Sequence, residues 1–223
     1  MSLILNIDTA VQSSSICLAE NDKPLATKIN PSQKDSASWL HVAINELVHE
    51  QNRTLAELDA IAVSEGPGSY TGLRVGMSTA KGLCYVLQKP LIAVNTLQMM
   101  AVAAQNEAVD FICPMIDARR MEVFTALFDH QLNYILPPAN LVLNEFSFQE
   151  FLKDRTVCFF GDGSVKLQKL MKHSNAMFKS FEISALLMIS LTYQKFLRQD
   201  FINLAYSQPF YGKDFYSSAK LSL

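Results

Sequence analysis

Apolar side chains enter this chain in two rhythms. The first residues form short apolar or alternating runs, at 3–7, 14–19 and 24–29, and the first run stops at Asp8-Thr9. Runs of this length, bounded by polar residues, predict strands, and three in succession predict a meander. The spacing then changes. Leu40, Ala43, Ile44 and Leu47 recur at helical period behind Asp35 and Ser36, either of which can cap the helix predicted over 36–51. Residues 60–64 are apolar enough for a buried strand, which runs through Gly66–Gly72 into a helix over 71–88. A strand at 90–94 follows, and then a helix through Gln105 with Asn95 or Thr96 as its cap. The order β-β-β-α-β-α-β-α accounts for residues 1–108.

From Asp110 the pattern restarts. An apolar run at 111–116 ends at Asp117, and a short turn over 118–120 leads to a second strand at 122–128. A third strand is predicted at 141–143, a helix at 146–152 and a strand at 157–160. Gly161-Asp162-Gly163 then turns into another helix. Residues 183–197 predict a mainly apolar helix, and the tail after Phe201 is irregular. Both halves thus open with strands that end at an aspartate. This predicts an α/β protein of two domains, 1–108 and 109–223, with a faint internal duplication.

Composition narrows the class. With 223 residues and 49% hydrophobic side chains, the chain can bury a core, which excludes disorder. The net charge of -2 argues against a broad basic surface for nucleic acid. The charge is uneven: 7 basic and 10 acidic residues up to position 108 give -3, and 12 and 11 beyond it give +1. Any RNA-facing role falls to the second half. The 4 cysteines are far apart, form no C-x-x-C pair and sit among apolar neighbours, so they read as buried thiols in a reducing compartment. The N-terminus lacks the basic region of a signal peptide, and no run reaches the ~18 apolar residues of a membrane span. A cytoplasmic protein is expected.

The 8 glycines are few against a usual share of ~7%, and five of them fall between Gly66 and Gly82. Gly66-Pro67-Gly68-Ser69-Tyr70-Thr71-Gly72 between a strand and a helix predicts a tight turn. Gly66 and Gly68 are able to take positive φ, and Ser69 or Thr71 can cap the helix. Its free N–H groups suit an anion, but no Gly-Lys-Ser/Thr follows, so it is not a P-loop. Asp8-Thr9 at the end of the first strand occupies a place where actin-like folds handle phosphate and metal; its turn, without glycine, equally suits capping groups. Asp8, Thr9, Gly66, Gly68 and Ser69 are therefore the candidate phosphate-facing set. Arg119 and Arg120 form either an anion contact or a solvated pair. Gly72, Gly76 and Ala80 make a smooth row along the helix, fit for internal packing or for a partner. The histidines 41, 49, 130 and 173 show no nucleophile or metal spacing, so no catalytic residue and no metal site are assigned.

Several of these stretches together resemble the TsaB family, formerly called YeaZ. They are Ile4–Thr9, the run from Gly66 through Arg74 to Gly76, then Thr79-Ala80-Lys81-Gly82, Val94-Asn95-Thr96-Leu97 and Met115–Arg119. The likeness spans residues 3–128. At the C-terminal end, where the family carries Pro-x-Tyr-Leu-Arg, this chain reads Pro209-Phe210-Tyr211-Gly212-Lys213 and departs in the last two positions.

The resemblance implies an actin/Hsp70-like, ribonuclease H-like fold and a subunit without catalysis of its own. Its implied partners are the related transferase TsaD and the ATPase TsaE, which act on tRNA to place threonylcarbamoyl on the adenosine beside the anticodon. TsaD holds its metal through a His-x-x-x-His pair; here the helix that often begins with His-Ser reads Asp35-Ser36. By the same analogy helices 36–51 and 71–88 form the partner face, through Leu40, Ile44, Leu47, Gly72, Leu73, Gly76, Met77 and Ala80. Without TsaD that face would make a homodimer. No cofactor of its own is implied, and ATP or ADP is expected at the complex interface. The alternative is an actin-like ATPase or chaperone-type nucleotide-binding protein acting alone. A metallopeptidase fails for want of three ligands.

Overall fold

The computed structural model describes residues 1–30 and 35–213. The end of the tail, 214–223, therefore lies outside the described residues, as does the side chain of Ser36, one of the two cap candidates.

Leu3–Asp8 (β1), Ser14–Glu20 (β2) and Lys23–Asn30 (β3) form the expected antiparallel meander, with Leu5 opposite Leu18 and Ser15 opposite Ile29. Ala60–Gly66 (β4) and Leu91–Asn95 (β5) extend β1 on its other side in parallel, giving the order β3-β2-β1-β4-β5. The near-continuous apolar run of β4 is what a parallel strand covered on both faces requires. Ser36–Glu50 (α1) and Tyr70–Leu87 (α2) cover one face and Thr96–Val102 (α3) the other. Alternation along β1 divides its side chains: Leu3, Leu5 and Ile7 enter the core beneath α1 and α2, while Ile4 enters the core on the far side.

Phe111–Asp117 (β6), Glu122–Phe128 (β7), Tyr134–Val142 (β8), Val157–Phe160 (β9) and Ala176–Phe178 (β10) build a second sheet. Its order is β8-β7-β6-β9-β10, antiparallel on one side of β6 and parallel on the other. This repeats the first sheet strand for strand. A meander and two parallel strands about a central first strand, present twice, is the actin/Hsp70-like two-domain arrangement. The sheets share one core, in which Ile92, Val94 and Met100 meet Ile112, Phe124 and Phe160.

Several elements differ from expectation. The third strand of the second half is Tyr134–Val142, not 141–143; it is an edge strand with mostly exposed side chains and two prolines, so the apolar pattern is absent there. The helix expected at 146–152 is a single turn, Gln149–Leu152 (α4), and Ser164–Leu170 (α5) follows the glycine turn as expected. Strand β10 and a 3-10 turn at Leu55–Glu57 carried no legible pattern. The helix at 96 stops at Val102 instead of Gln105, and Asn95 caps it, accepting from Leu97 N–H at 3.0 Å and Gln98 N–H at 3.3 Å. Asp35 stands at the N-cap of α1 but makes no side-chain cap bond.

The expected 183–197 helix splits into a 3-10 turn, Ala185–Met188, and Ile189–Leu197 (α6). Both lie on the first sheet. Ala185 N–H donates to Ser15 Oγ at 2.8 Å, and Thr192 Oγ1 donates to Asn6 Oδ1 at 2.8 Å. Ile202 bridges to Leu91 of β5. The boundary at 108/109 separates the two sheets, but beyond Ser184 the chain crosses back onto the first.

Candidate functional site

A cleft of about 1260 Å³ opens between the two sheets. Its walls are the β1–β2 turn (10–13), the start of α2 (68–71), the β6–β7 turn (117–119) and the Gly161–Ser164 turn, with Phe178–Ile183 along one side. The duplicated topology brings the two strand-ending turns face to face. Gln12 reaches across to Asp162 at 3.4 Å, and Asp162 also accepts from Asp117 N–H at 2.9 Å.

The candidate phosphate-facing residues separate into two groups. Gly68 and Ser69 line the cleft; Asp8, Thr9 and Gly66 do not. Asp8 lies beneath its turn, fully buried, with Oδ1 accepting from the Ser64 hydroxyl at 2.5 Å and from Ala10 N–H at 3.0 Å. Its Oδ2 is buried with no hydrogen-bond partner among the described residues. Burial pushes the carboxyl up to about 6, against the opposing pull of Ser64 and Ala10 N–H. Thr9 Oγ1 donates to the Gly72 carbonyl at 2.7 Å, and Ser69 N–H donates to the Ala10 carbonyl at 2.8 Å. The Thr9 hydroxyl and the Ser69 N–H are thus given to the chain itself. Ser69 is the cap of α2, its Oγ accepting from Gly72 N–H at 3.3 Å.

The glycine row is used internally. A Cβ on Gly72 would lie 1.9 Å from the Thr9 carbonyl oxygen, one on Gly76 2.3 Å from Thr9 Oγ1, and one on Gly68 2.3 Å from the Ala10 carbonyl oxygen. Gly68 is therefore needed for close approach and not for the positive φ expected of it; Gly66 does take φ 118°. The residues read as a partner face are likewise inside. Leu40, Ile44, Leu47, Met77 and Ala80 are buried in the core between α1, α2 and the first sheet, and Leu73 is fully buried as well. Burial of each large one is worth ~1.5–3 kcal/mol, and a side chain so placed has no surface to offer. This corrects the partner-face assignment: the apolar stripe of each helix points inward.

The outward side of α2 is different. Arg74, Ser78 and Gly82 lie on it, with Tyr85 77% and Val86 78% exposed, and Val42 of α1 is also exposed. A Cβ on Gly82 would meet nothing within 4 Å. No contact among the described residues asks for a glycine in the middle of this helix, where it costs ~1 kcal/mol relative to alanine.

In the second half Asp117 is open to the cleft. Burial works to raise its carboxyl, but the Lys166 ammonium at 2.7 Å and Arg119 N–H at 2.6 Å outweigh it and hold it below the usual range. Arg119 lines the cleft and Arg120 does not; both take left-handed φ, 68° and 47°. Among the described residues no group of three His, Cys, Asp or Glu side chains is placed to hold a metal ion. No helix among them is long and apolar enough to cross a membrane.

One contributor was missed. The tail straps both halves: Phe210 N–H donates to the Glu65 carbonyl at 2.7 Å, Lys81 Nζ to the Ser207 carbonyl at 3.0 Å, and Arg74 Nε to Tyr211 Oη at 3.3 Å. Arg74 also stacks over the Tyr70 ring at 4.3 Å, and Lys213 pairs with Glu122 of the second sheet at 2.5 Å. The conspicuous Pro209–Lys213 stretch was the available signal, but not for where it lands.

Comparison with known proteins gives a consistent result. Residues 29–207 match the family model described as TsaD: tRNA N6-adenosine threonylcarbamoyltransferase. The chain is 34% identical over 162 residues to the Bacillus subtilis tRNA threonylcarbamoyladenosine biosynthesis protein TsaB, covering 71% of this chain and 70% of that one. It is 31% identical over 133 residues to the Escherichia coli protein of the same name, spanning 59% of this chain and 57% of the relative. In fold it is similar to a Pseudomonas aeruginosa protein described as resembling peptidase YeaZ, with TM-score 0.84, 24% identity and coverage of 96% and 100%.

Proposed function

The chain belongs to the TsaD family, in its TsaB (YeaZ) branch, and from that premise we propose that it serves tRNA threonylcarbamoyladenosine biosynthesis as a partner-binding subunit without chemistry of its own. Its partner is a TsaD-type transferase, docked on the outward face of α2, with TsaE joining the assembly and tRNA reached through it. The observation that carries this reading is Gly82. It is open on its outer side, it lies beside exposed Tyr85 and Val86, and nothing among the described residues explains it. A partner backbone approaching closely does explain it. In the absence of the transferase the same face closes on a second copy.

The sealed state of Asp8 supports the non-catalytic half of the proposal, because its carboxylate is held by Ser64 and Ala10 beneath the cleft wall. ATP or ADP belongs to the assembled complex and not to this chain alone, since Ser69 N–H and the Thr9 hydroxyl are already committed. With that role the proposal assigns the protein to the cytoplasm. Reconstituted threonylcarbamoylation of tRNA tests the reading: Asp8→Asn should support modification as the wild type does, and Gly82→Arg should not. Loss of modification in Asp8→Asn with intact assembly would restore the solitary nucleotide enzyme.

A further inference from the structure

Residues 103–110 carry the chain from α3 on the first sheet to β6 in the second. His130, in the turn between β7 and β8, reaches both ends of this link. Its Nδ1 lies 2.9 Å from the Gln105 carbonyl oxygen, and its Nε2 meets the carbonyl oxygen of Val109. Gln105 Nε2 donates back to the His130 carbonyl at 2.9 Å. Ala104, Val109 and Leu132 are buried beside this contact in the core shared by the two sheets.

A neutral imidazole carries one N–H and one lone pair, whichever tautomer it adopts. One of the two carbonyl oxygens would then face a lone pair. The imidazolium donates to both. We propose that His130 is a proton-operated clip on the link between the two sheets. Charged, it ties both ends of 105–109 to the β7–β8 turn; neutral, it releases one carbonyl and the link loosens.

The surroundings favour the charged form. The Val109 and Gln105 carbonyls hold the proton most strongly; burial opposes them, and Asp129 on the same turn and Asp110 at the end of the link add to them, so the group sits above the ordinary histidine value. Asp129 is also engaged by Gln131 and Asn133, and Asp110 by Thr156 and Arg155. Glu107, on the link itself, is bound by Lys179. A raised folded value means that the clip contributes fully below the free-histidine value of ~6.5 and is lost as pH rises through the folded value.

The test is an NMR titration of the His130 ring in the full chain, with native-state amide exchange of residues 103–110 corrected for intrinsic rates. Expected are a midpoint above free histidine, two protonated ring nitrogens at acid pH, and an opening constant that rises about tenfold for each unit of that shift. In His130→Gln, which can donate only from its amide, the opening constant should be high and independent of pH. A wild-type midpoint at or below the free value, or equal link opening on both sides of the titration, would overturn the proposal. Both readouts use the wild type and stand even where the variant folds poorly.

Discussion

Asp8 closes β1 and Asp117 closes β6, the central strands of two sheets with the same order. In the first half the turn after the aspartate is drawn down onto the start of α2, with carbonyls of Thr9 and Ala10 pressed against Gly72 and Gly68. The carboxyl beneath is buried and pushed up to about 6. In the second half the turn stays polar, and Asp117 faces the cleft with Lys166 and Arg119 N–H on it. A shared topology therefore fixes where the two acids stand, while the side chains of the neighbouring helix decide whether a ligand can meet them. Glycines close the first turn; a lysine charges the second.

The strongest way to break the comparison is to force the first turn open. Gly72→Val should cost about 3 kcal/mol or more, because its Cβ would collide with the Thr9 backbone; equilibrium unfolding in urea measures it. Asp8→Asn should act in the opposite sense. The folded carboxyl holds its proton more tightly than the unfolded one, so the wild type bears the full cost of the buried charge above pH ~6 and loses that cost as pH falls toward ~4. The variant should gain about 3 kcal/mol at pH 7.5 and almost nothing at pH 4. Asp117→Asn should instead lose a little stability at neutral pH, since its lowered carboxyl contributes above the unfolded value and that contribution disappears in acid.

A smaller contrast lies along one helix. Gly82→Ala should stabilise the isolated chain by up to about 1 kcal/mol, whereas Gly76→Ala should destabilise it, because only the second Cβ meets an atom of Thr9. Thermal melts of the pair give the two signs. The smallest effect expected is that of Arg74→Ala, which removes the guanidinium from over the Tyr70 ring and its bond to Tyr211 and should lower stability only slightly.

Much of the fold was legible in the sequence. Short apolar or alternating runs found the first meander, the helical stripe of Leu40, Ile44 and Leu47 found α1, and the restart at Asp110 found the duplication. Strand β8 was not legible, because an exposed edge strand with Pro137 and Pro138 has no apolar face to repeat. Of the candidate site residues, Gly68, Ser69 and Arg119 line the cleft and Gly66 does not, and apolar spacing cannot tell a helix's inward stripe from a docking face. The sealing of Asp8 depends on Ser64 and on the turn above it, contacts remote in sequence. The path of the tail onto Glu65, Arg74 and Lys81 is set by long-range contacts that no local pattern encodes.

The measurement that bears most directly on the outward face of α2 is light scattering of the chain mixed with a TsaD-type transferase. Wild type should give the mass of a complex. Gly82→Arg should give only the separate masses, with a melting temperature for the variant alone no lower than that of the wild type. A complex formed by Gly82→Arg with wild-type affinity would contradict the assignment of that face.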